Sequence, residues 1–239
     1  MEYQWFKLLD GIADALGVSG RHALLYGPPG TGKSAFFARR GAHERLSIHE
    51  TMSPDALLGT WRLERDGNAT SMQWCDGPAI RAMRKGVPLI IDEVDRAGGD
   101  VVPVLHAIAD DRDMAAITLP TGEVVKPADG FFVVATTNAS PQELPPALLD
   151  RFGITLHADE PHPAILENLP TALRDMVQAG MASHDWQPIV TARRVLAYMR
   201  LCQFVGNDLA AAAVFGSGAK DIQTAVVTAG NDTGEGGNS

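Results

Sequence analysis

The sequence predicts a three-layer α/β fold, a parallel sheet with helices on both faces, followed by a smaller helical region. Three observations carry that reading. Short apolar runs recur between residues 22 and 157, and stretches with helical periodicity separate them; a sheet with crossover helices has this alternation. The run Gly27-Pro28-Pro29-Gly30-Thr31-Gly32-Lys33-Ser34 lies between an apolar run and a helix start. Finally, Leu89-Ile90-Ile91 leads directly into Asp92-Glu93. That places two carboxylates at the C-terminal end of a buried strand, where open α/β sheets hold ligands.

Taken in order, residues 3–16 put Trp5, Phe6, Leu8, Leu9, Ile12 and Leu16 at helical spacing, and Gly17 is expected to end that helix. Strands are expected over 22–26, 45–50, 87–92, 131–136 and 153–157. Between them, Ser53-Pro54-Asp55 opens a helix with a capping serine and a proline at the first position. Gly77-Pro78 opens another, which runs to Lys85 and stops at Gly86. Asp100 caps a third, with Val101, Val104, Leu105 and Ile108 on one face.

Two segments interrupt the alternation. Residues 61–74 carry the turn signal Asp66-Gly67-Asn68, and residues 115–126 carry Pro120-Thr121-Gly122; both read as inserted hairpins. After Pro161 the strands cease, and 163–180, 191–205 and 207–227 read as helices. From residue 229 the chain is mostly Gly, Asn, Thr and Ser, a composition that does not bury enough apolar surface to order itself. The expected division is therefore an N-terminal helix and linker (1–20), an α/β core (21–160), a helical lid (161–228) and a disordered tail (229–239). No internal repeat is evident.

Composition narrows the function classes. A chain of 239 residues, 45% hydrophobic and 21% charged, can bury a sizeable core. The formal net charge of −9 argues against nonspecific binding to nucleic acid or to an anionic membrane. Local basic spots remain, such as Arg81, Arg84 and Lys85. Cys75 and Cys202 make no C-x-x-C pair, and the seven histidines show no H-E-x-x-H spacing, so neither a zinc site nor a disulfide framework is indicated. Met1-Glu2-Tyr3-Gln4-Trp5 does not read as a signal peptide, and no apolar run is long enough to span a bilayer. A reducing, cytoplasmic setting is expected.

The glycine-rich run fits G-x-x-x-x-G-K-[ST], the phosphate-binding loop. Its glycines let backbone N–H groups approach phosphate oxygens where a Cβ would intrude. Lys33 adds a mobile positive charge for the β- and γ-phosphates, and the Ser34 hydroxyl can ligate Mg²⁺. The helix start that follows contributes its dipole. Asp92 can hold the same Mg²⁺, directly or through water. Glu93 can accept a proton from an attacking water. A nucleoside triphosphate is the ligand this pair of motifs calls for, and ATP fits better than GTP because no N-K-x-D guanine signature occurs.

The ordered motifs resemble the AAA+ ATPases, and within them the MoxR-like, dynein-related group. The resemblance rests on Gly27–Ser34, Leu57-Leu58-Gly59, Trp74-Cys75-Asp76-Gly77-Pro78 and Ile91-Asp92-Glu93-Val94-Asp95-Arg96-Ala97. It continues through Leu119-Pro120-Thr121-Gly122-Glu123, Ala135-Thr136-Thr137-Asn138 and Leu148-Leu149-Asp150-Arg151-Phe152. It implies a P-loop NTPase core with a small helical lid. Asn138 matches the sensor-1 position, which orients the attacking water. Arg151 matches the arginine finger, which acts on nucleotide held by the adjacent subunit. Thr191-Ala192-Arg193 resembles the start of the sensor-2 helix, with Arg194 a competing candidate, since Ala192 stands where the family often has proline. Arg96 is either a second interface residue or a partner of Asp95, and the pairing is the expectation preferred. The insertion at 61–74 corresponds to a family element whose two tryptophans either meet a partner or pack the hairpin's own base.

The resemblance further implies a Mg²⁺-dependent ATPase that assembles into a ring, taken as a hexamer, and remodels or activates a protein partner. Relatives commonly work with a von Willebrand factor A-type protein. No D-x-S-x-S metal motif occurs in this sequence, so any such domain is expected on a separate chain. Two alternative readings are a nucleic-acid-directed motor of the same broad group and an ATP-gated scaffold with little turnover.

Overall fold

The chain enters through an amphipathic helix, α1 (Trp5–Ser19), which buries Trp5, Phe6, Leu9, Ala13 and Leu16. Gly17 does not end it. The helix runs on to Ser19 and stops at Gly20, whose left-handed conformation (φ 63°) closes the last turn. Gly17 instead packs against the loop at Gly130, where a Cβ would come to ordinary contact, 3.4 Å from the carbonyl oxygen.

The computed structural model describes residues 4–66, 69–167, 169–182, 191–220 and 223–224. These form two compact units. One contains the described residues up to Gly27 together with Lys33–His157; the other contains Pro28–Gly32 and the described residues from Ala158 onward.

The first unit is built on a five-stranded sheet of order β2-β5-β8-β1-β9, in which every pairing is parallel. Its strands are β1 (Ala23–Tyr26), β2 (Glu44–Ser47), β5 (Leu89–Asp92), β8 (Val133–Thr137) and β9 (Ile154–His157). Central β5 and β8 are buried at every position, whereas edge strands β2 and β9 alternate between half-buried and exposed. This is what covering both faces of a parallel sheet requires, and it explains why the central strands read as unbroken apolar runs. Strand β1 lies between β8 and β9, where the strand order reverses, and the crevice beyond its carboxyl end is the natural ligand position.

Helices α2 (Lys33–Ala38), α3 (Asp55–Leu58), α4 (Pro78–Lys85), α5 (Val102–Ile108) and α6 (Pro146–Leu149) belong to the same unit. Ile80 and Met83 of α4, Leu105 and Ile108 of α5 and Leu148 of α6 join Leu24, Ile91, Val133 and Ala135 in one continuous core. Helix α4 keeps its expected limits, with Pro78 in the first turn and Gly86 at the C-cap in the left-handed region (φ 64°). Helix α3 is a single turn without a side-chain cap from Ser53.

Both insertions are hairpins. Strands β3 (Gly59–Asp66) and β4 (Ala69–Asp76) pair antiparallel, and the expected turn residues Gly67 and Asn68 lie outside the described residues. Trp61 stands opposite Trp74, with ring centroids 5.6 Å apart in an edge arrangement; the two indoles pack on each other. Next along the ribbon, Leu63 and Met72 are opposite one another and exposed. Strands β6 (Ile117–Thr118) and β7 (Val124–Val125) form the second, short hairpin.

The basic spot at α4 is neutralised. Arg81 and Lys85 both donate to Glu44, and Arg84 donates to Asp76 and Glu123. The hydrogen bond from Arg81, helped by Lys85, holds the Glu44 carboxyl below its usual range. These cations tie α4 to β2, β4 and the β6–β7 turn and leave no positive patch there.

The second unit contains α7 (Pro163–Leu166), α8 (Thr171–Ala182), α9 (Ala192–Val205) and α10 (Asn207–Phe215). Leu166, Leu173, Val177, Val195, Tyr198, Ala211 and Phe215 form its core. The single helix expected over 163–180 is two, because Pro170 cannot continue the hydrogen-bond ladder and restricts the residue before it. The helix expected over 207–227 is broken after Phe215, where Gly216 takes a positive φ of 56°; Gly216–Gly218 form a single 3-10 turn, and residues 219–220 and 223–224 are again helical. The tail expected to be disordered lies outside the described residues.

Candidate nucleotide site

The phosphate-loop run follows β1 directly. Gly27, Gly30 and Gly32 adopt φ values of 134°, 90° and 96°, which side chains other than hydrogen rarely tolerate. In the second unit, the Thr31 hydroxyl donates to the Pro28 carbonyl at 3.3 Å, and the Thr31 carbonyl accepts from the His162 amide at 2.9 Å. A Cβ on Gly32 would lie 2.6 Å from Ile165 Cδ1. The loop conformation is therefore held from within, and glycine is the residue that fits it.

Lys33 begins α2 with its side chain buried. Its Nζ donates to the Gly27 carbonyl at 2.7 Å and to Asn138 Oδ1 at 3.0 Å. Burial lowers its pKa to about 8, against the opposing pull of Asp92 and Asp95. The ammonium is thus under-solvated and engaged by two neutral oxygens, an arrangement that a phosphate anion can improve upon.

Asp92 ends β5 and is almost fully buried. Its Oδ1 accepts from the Ser34 hydroxyl and from Thr136 Oγ1 at 2.9 Å. Its Oδ2 accepts from Arg45, at 2.7 Å from Nε and 2.6 Å from Nη2. A hydroxyl and a carboxylate in contact at the end of a strand are hard oxygen donors and suit Mg²⁺, which takes few protein ligands and completes its shell with phosphate and water. No group of three or more His, Cys, Asp or Glu side chains placed to hold a metal occurs among the described residues.

Glu93 is the one non-glycine residue at positive φ among the described residues (φ 58°, ψ 46°). Such a conformation costs about 1–2 kcal/mol for an L-residue and tends to occur at functional positions. It turns the chain sharply after β5 and leaves the carboxylate partly exposed, 3.5 Å from Arg96 Nη1. Arg96 therefore pairs with Glu93 and not with Asp95, whose Oδ1 instead accepts from Thr137 Oγ1 at 2.6 Å.

Asn138 follows β8 at once and reaches Lys33, so the structure brings Lys33, Ser34, Asp92 and Asn138 together. Arg151 follows α6 and donates from Nη1 to Asp110 Oδ1. The same Asp110 offers its carbonyl oxygen to the buried His22, 3.1 Å from Nε2, while His22 Nδ1 accepts from the Val133 amide at 2.9 Å. Burial lowers the His22 pKa, and accepting the Val133 N–H leaves the ring proton on Nε2. In the second unit, Arg193 is exposed near the start of α9. Arg194 donates from Nη2 to the Val214 carbonyl and lies over the Phe215 ring, 5.6 Å from its centroid.

Three residues here escaped the sequence reading: Arg45 and Thr136, both on Asp92, and Asp110, on Arg151. Arg45 lies 47 positions from its partner and Asp110 lies 41 from its own, so no local spacing could have linked them. Thr136 sits inside the Ala135-Thr136-Thr137-Asn138 run, and only the parallel pairing of β5 with β8 turns it toward Asp92.

The sequence pattern of the AAA domain, dynein-related subfamily, matches residues 22–152. Over 162 residues the chain is 35% identical to protein NorQ of Paracoccus denitrificans, a match covering 64% of this chain and 58% of NorQ. It is 32% identical over 175 residues to the denitrification regulatory protein NirQ of Stutzerimonas stutzeri, covering 70% of this chain and 58% of that protein. The chain thus spans about half the length of the relatives it matches. Among solved structures, NtrX from Brucella abortus in complex with ATP superposes with a TM-score of 0.55 over 84% of this chain and 52% of NtrX, at 15% identity. That likeness is one of fold. Since the family pattern spans more than half of the chain and covers β1 to the end of α6, the chain belongs to the AAA domain family, in its dynein-related subfamily.

Proposed function

We propose that this chain is a Mg²⁺-dependent ATPase that works as a ring, taken as hexameric, and uses hydrolysis to remodel or activate a protein partner. The observation that carries the proposal is the meeting of Lys33, Ser34, Asp92 and Asn138 at the ends of three parallel strands, with Glu93 held in a strained conformation beside them. Residues 21–160 serve as the ATPase core and 161–228 as the lid. Amides of Gly27, Gly30, Thr31, Gly32 and Lys33 cradle the phosphates; Pro28 and Pro29 contribute none, having no N–H, and set the loop's course. Lys33 Nζ leaves its carbonyl contact for a phosphate oxygen. Asn138, released from Lys33, positions the attacking water, and Glu93 takes its proton. Ser34 and Asp92 would hold Mg²⁺, which would supply positive charge to the phosphates when bound. Arg151 of one subunit completes the charge stabilisation in the next. Arg193 is the better sensor-2 candidate, because Arg194 is committed within the second unit.

Similarity to NirQ, named as a denitrification regulatory protein, supports a regulatory role. A von Willebrand factor A-type protein on a separate chain is the partner class proposed. No helix among the described residues is long and apolar enough to cross a membrane, and the net charge of −9 favours a protein partner over nucleic acid.

The test is Glu93→Gln. This variant should bind ATP with wild-type affinity and hydrolyse it about 10²–10⁴-fold more slowly, since the amide keeps the shape and loses the base. Phosphate release and calorimetric binding, measured on the same preparation, separate the two effects. Turnover near the wild-type rate would remove Glu93 from the mechanism.

A further inference from the structure

Asp92 is saturated by the protein's own donors. A carboxylate offers about four acceptor positions. Ser34 and Thr136 occupy Oδ1, and the Nε and Nη2 groups of Arg45 both occupy Oδ2. The two partners differ in freedom. Asp92 has 10% of its side chain exposed, whereas Arg45, on edge strand β2, has 51% exposed. If this carboxylate is to serve a divalent cation, the arginine is the group able to move. The rest of the site is quenched in the same manner, with Lys33 held by Gly27 and Asn138 and Glu93 held by Arg96.

Resting on the reading of Ser34 and Asp92 as the Mg²⁺ site, we propose that Arg45 is a built-in counter-cation of that site, which Mg²⁺ entering with nucleotide must compete against. The guanidinium balances the charge of a nearly buried carboxylate that would otherwise stand uncompensated. The same permanent positive charge, while it stays on Asp92, repels a divalent ion a few ångströms away, and this repulsion is stronger near the protein interior than in water. Arg45 thereby sets how much Mg²⁺ the site demands. Metal loading is coupled to release of an arginine on the edge strand of the sheet.

The experiment titrates Mg²⁺ against binding of a fluorescent, non-hydrolysable ATP analogue to the full chain, with Mn²⁺ binding by electron paramagnetic resonance as a second, activity-independent readout. Arg45→Gln should lower the metal midpoint by about tenfold while changing metal-free nucleotide affinity by less than about twofold. Arg45→Lys, which keeps the charge, should stay near the wild-type midpoint. Arg45→Met replaces the amide variant if circular dichroism shows that variant unfolded. An unchanged or raised midpoint in Arg45→Gln overturns the proposal and makes Arg45 a prop for Asp92. If wild-type binding shows no Mg²⁺ dependence at all, the metal-site reading itself fails, and the wild-type curve alone reveals it.

Discussion

Lys33 is the residue whose environment makes the sharpest chemical demand. A lysine ordinarily titrates near 10.5, and burial brings this one down to about 8. Near pH 8 it is therefore partly deprotonated, and phosphate oxygens should restore the proton. Nucleotide binding at pH 8 is expected to take up about half a proton, falling to nearly none at pH 6.5, where Lys33 is already charged. Calorimetry in buffers of different ionisation enthalpy measures this directly. Lys33→Ala should abolish both tight ATP binding and the uptake. The linkage to stability has the opposite sense to that of a salt-bridged lysine. Because the folded pKa lies below the unfolded one, the unfolded chain binds more protons between about pH 8 and 10.5, and this group's contribution to stability rises with pH across that window.

At the level of elements, the site depends on the central strands ending together, and their ends depend on tight turns behind the sheet. Gly86, at the C-cap of α4, shows how tight. It has φ +64°, and a Cβ there would lie 2.0 Å from the Asp129 carbonyl oxygen. Backbone, not a flexible side chain, blocks the space, so the chain before β5 must shift if a methyl is added. Gly86→Ala should lose about 2–4 kcal/mol in urea denaturation. Gly99→Ala, with nothing within 4 Å of its built Cβ, is the control and should stay within about 0.5 kcal/mol of wild type. Equal effects at the two positions would show that the α4–β5 turn relaxes freely.

For the whole molecule, the question is where Arg151 acts. Within one chain its guanidinium is turned onto Asp110, whose backbone is pinned by His22. The proposed ring needs that guanidinium in the neighbouring subunit's site, so assembly has to offer more than this partly buried pairing does. Arg151→Ala should bind ATP normally and lose about 10³–10⁵ in hydrolysis. Mixing it with Lys33→Ala tests trans action, because each variant supplies what the other lacks. Activity should reappear at interfaces that combine a competent site with a competent arginine. If the mixture stays inactive while light scattering shows the two variants assembled together, the finger does not act in trans.

Much of this architecture was legible because its signals are local. Buried parallel strands must be apolar at successive positions, so β5 and β8 announced themselves, and the loop Gly27–Ser34 needs glycines and a lysine at fixed spacing. The limits of α4 followed from Pro78 and Gly86 for the same reason. Gly17 misled because a glycine inside a helix is tolerated where a buried face holds the helix, and Gly20, in the left-handed region, is the one that ends it. The partners of Asp92 and Arg151 were beyond reach for a related reason. A hydrogen bond between residues distant in sequence leaves no periodicity, and a polar residue on a strand reads alike whether it meets water or a buried carboxylate. The sequence alone determined the fold class, the glycine-rich loop and the acidic strand end, since backbone sterics and burial dictate those residue types one by one. Only the tertiary structure decided that Arg45 faces Asp92, that Arg96 faces Glu93 and that Asp110 holds Arg151, because strand order and register bring together side chains that the chain keeps apart.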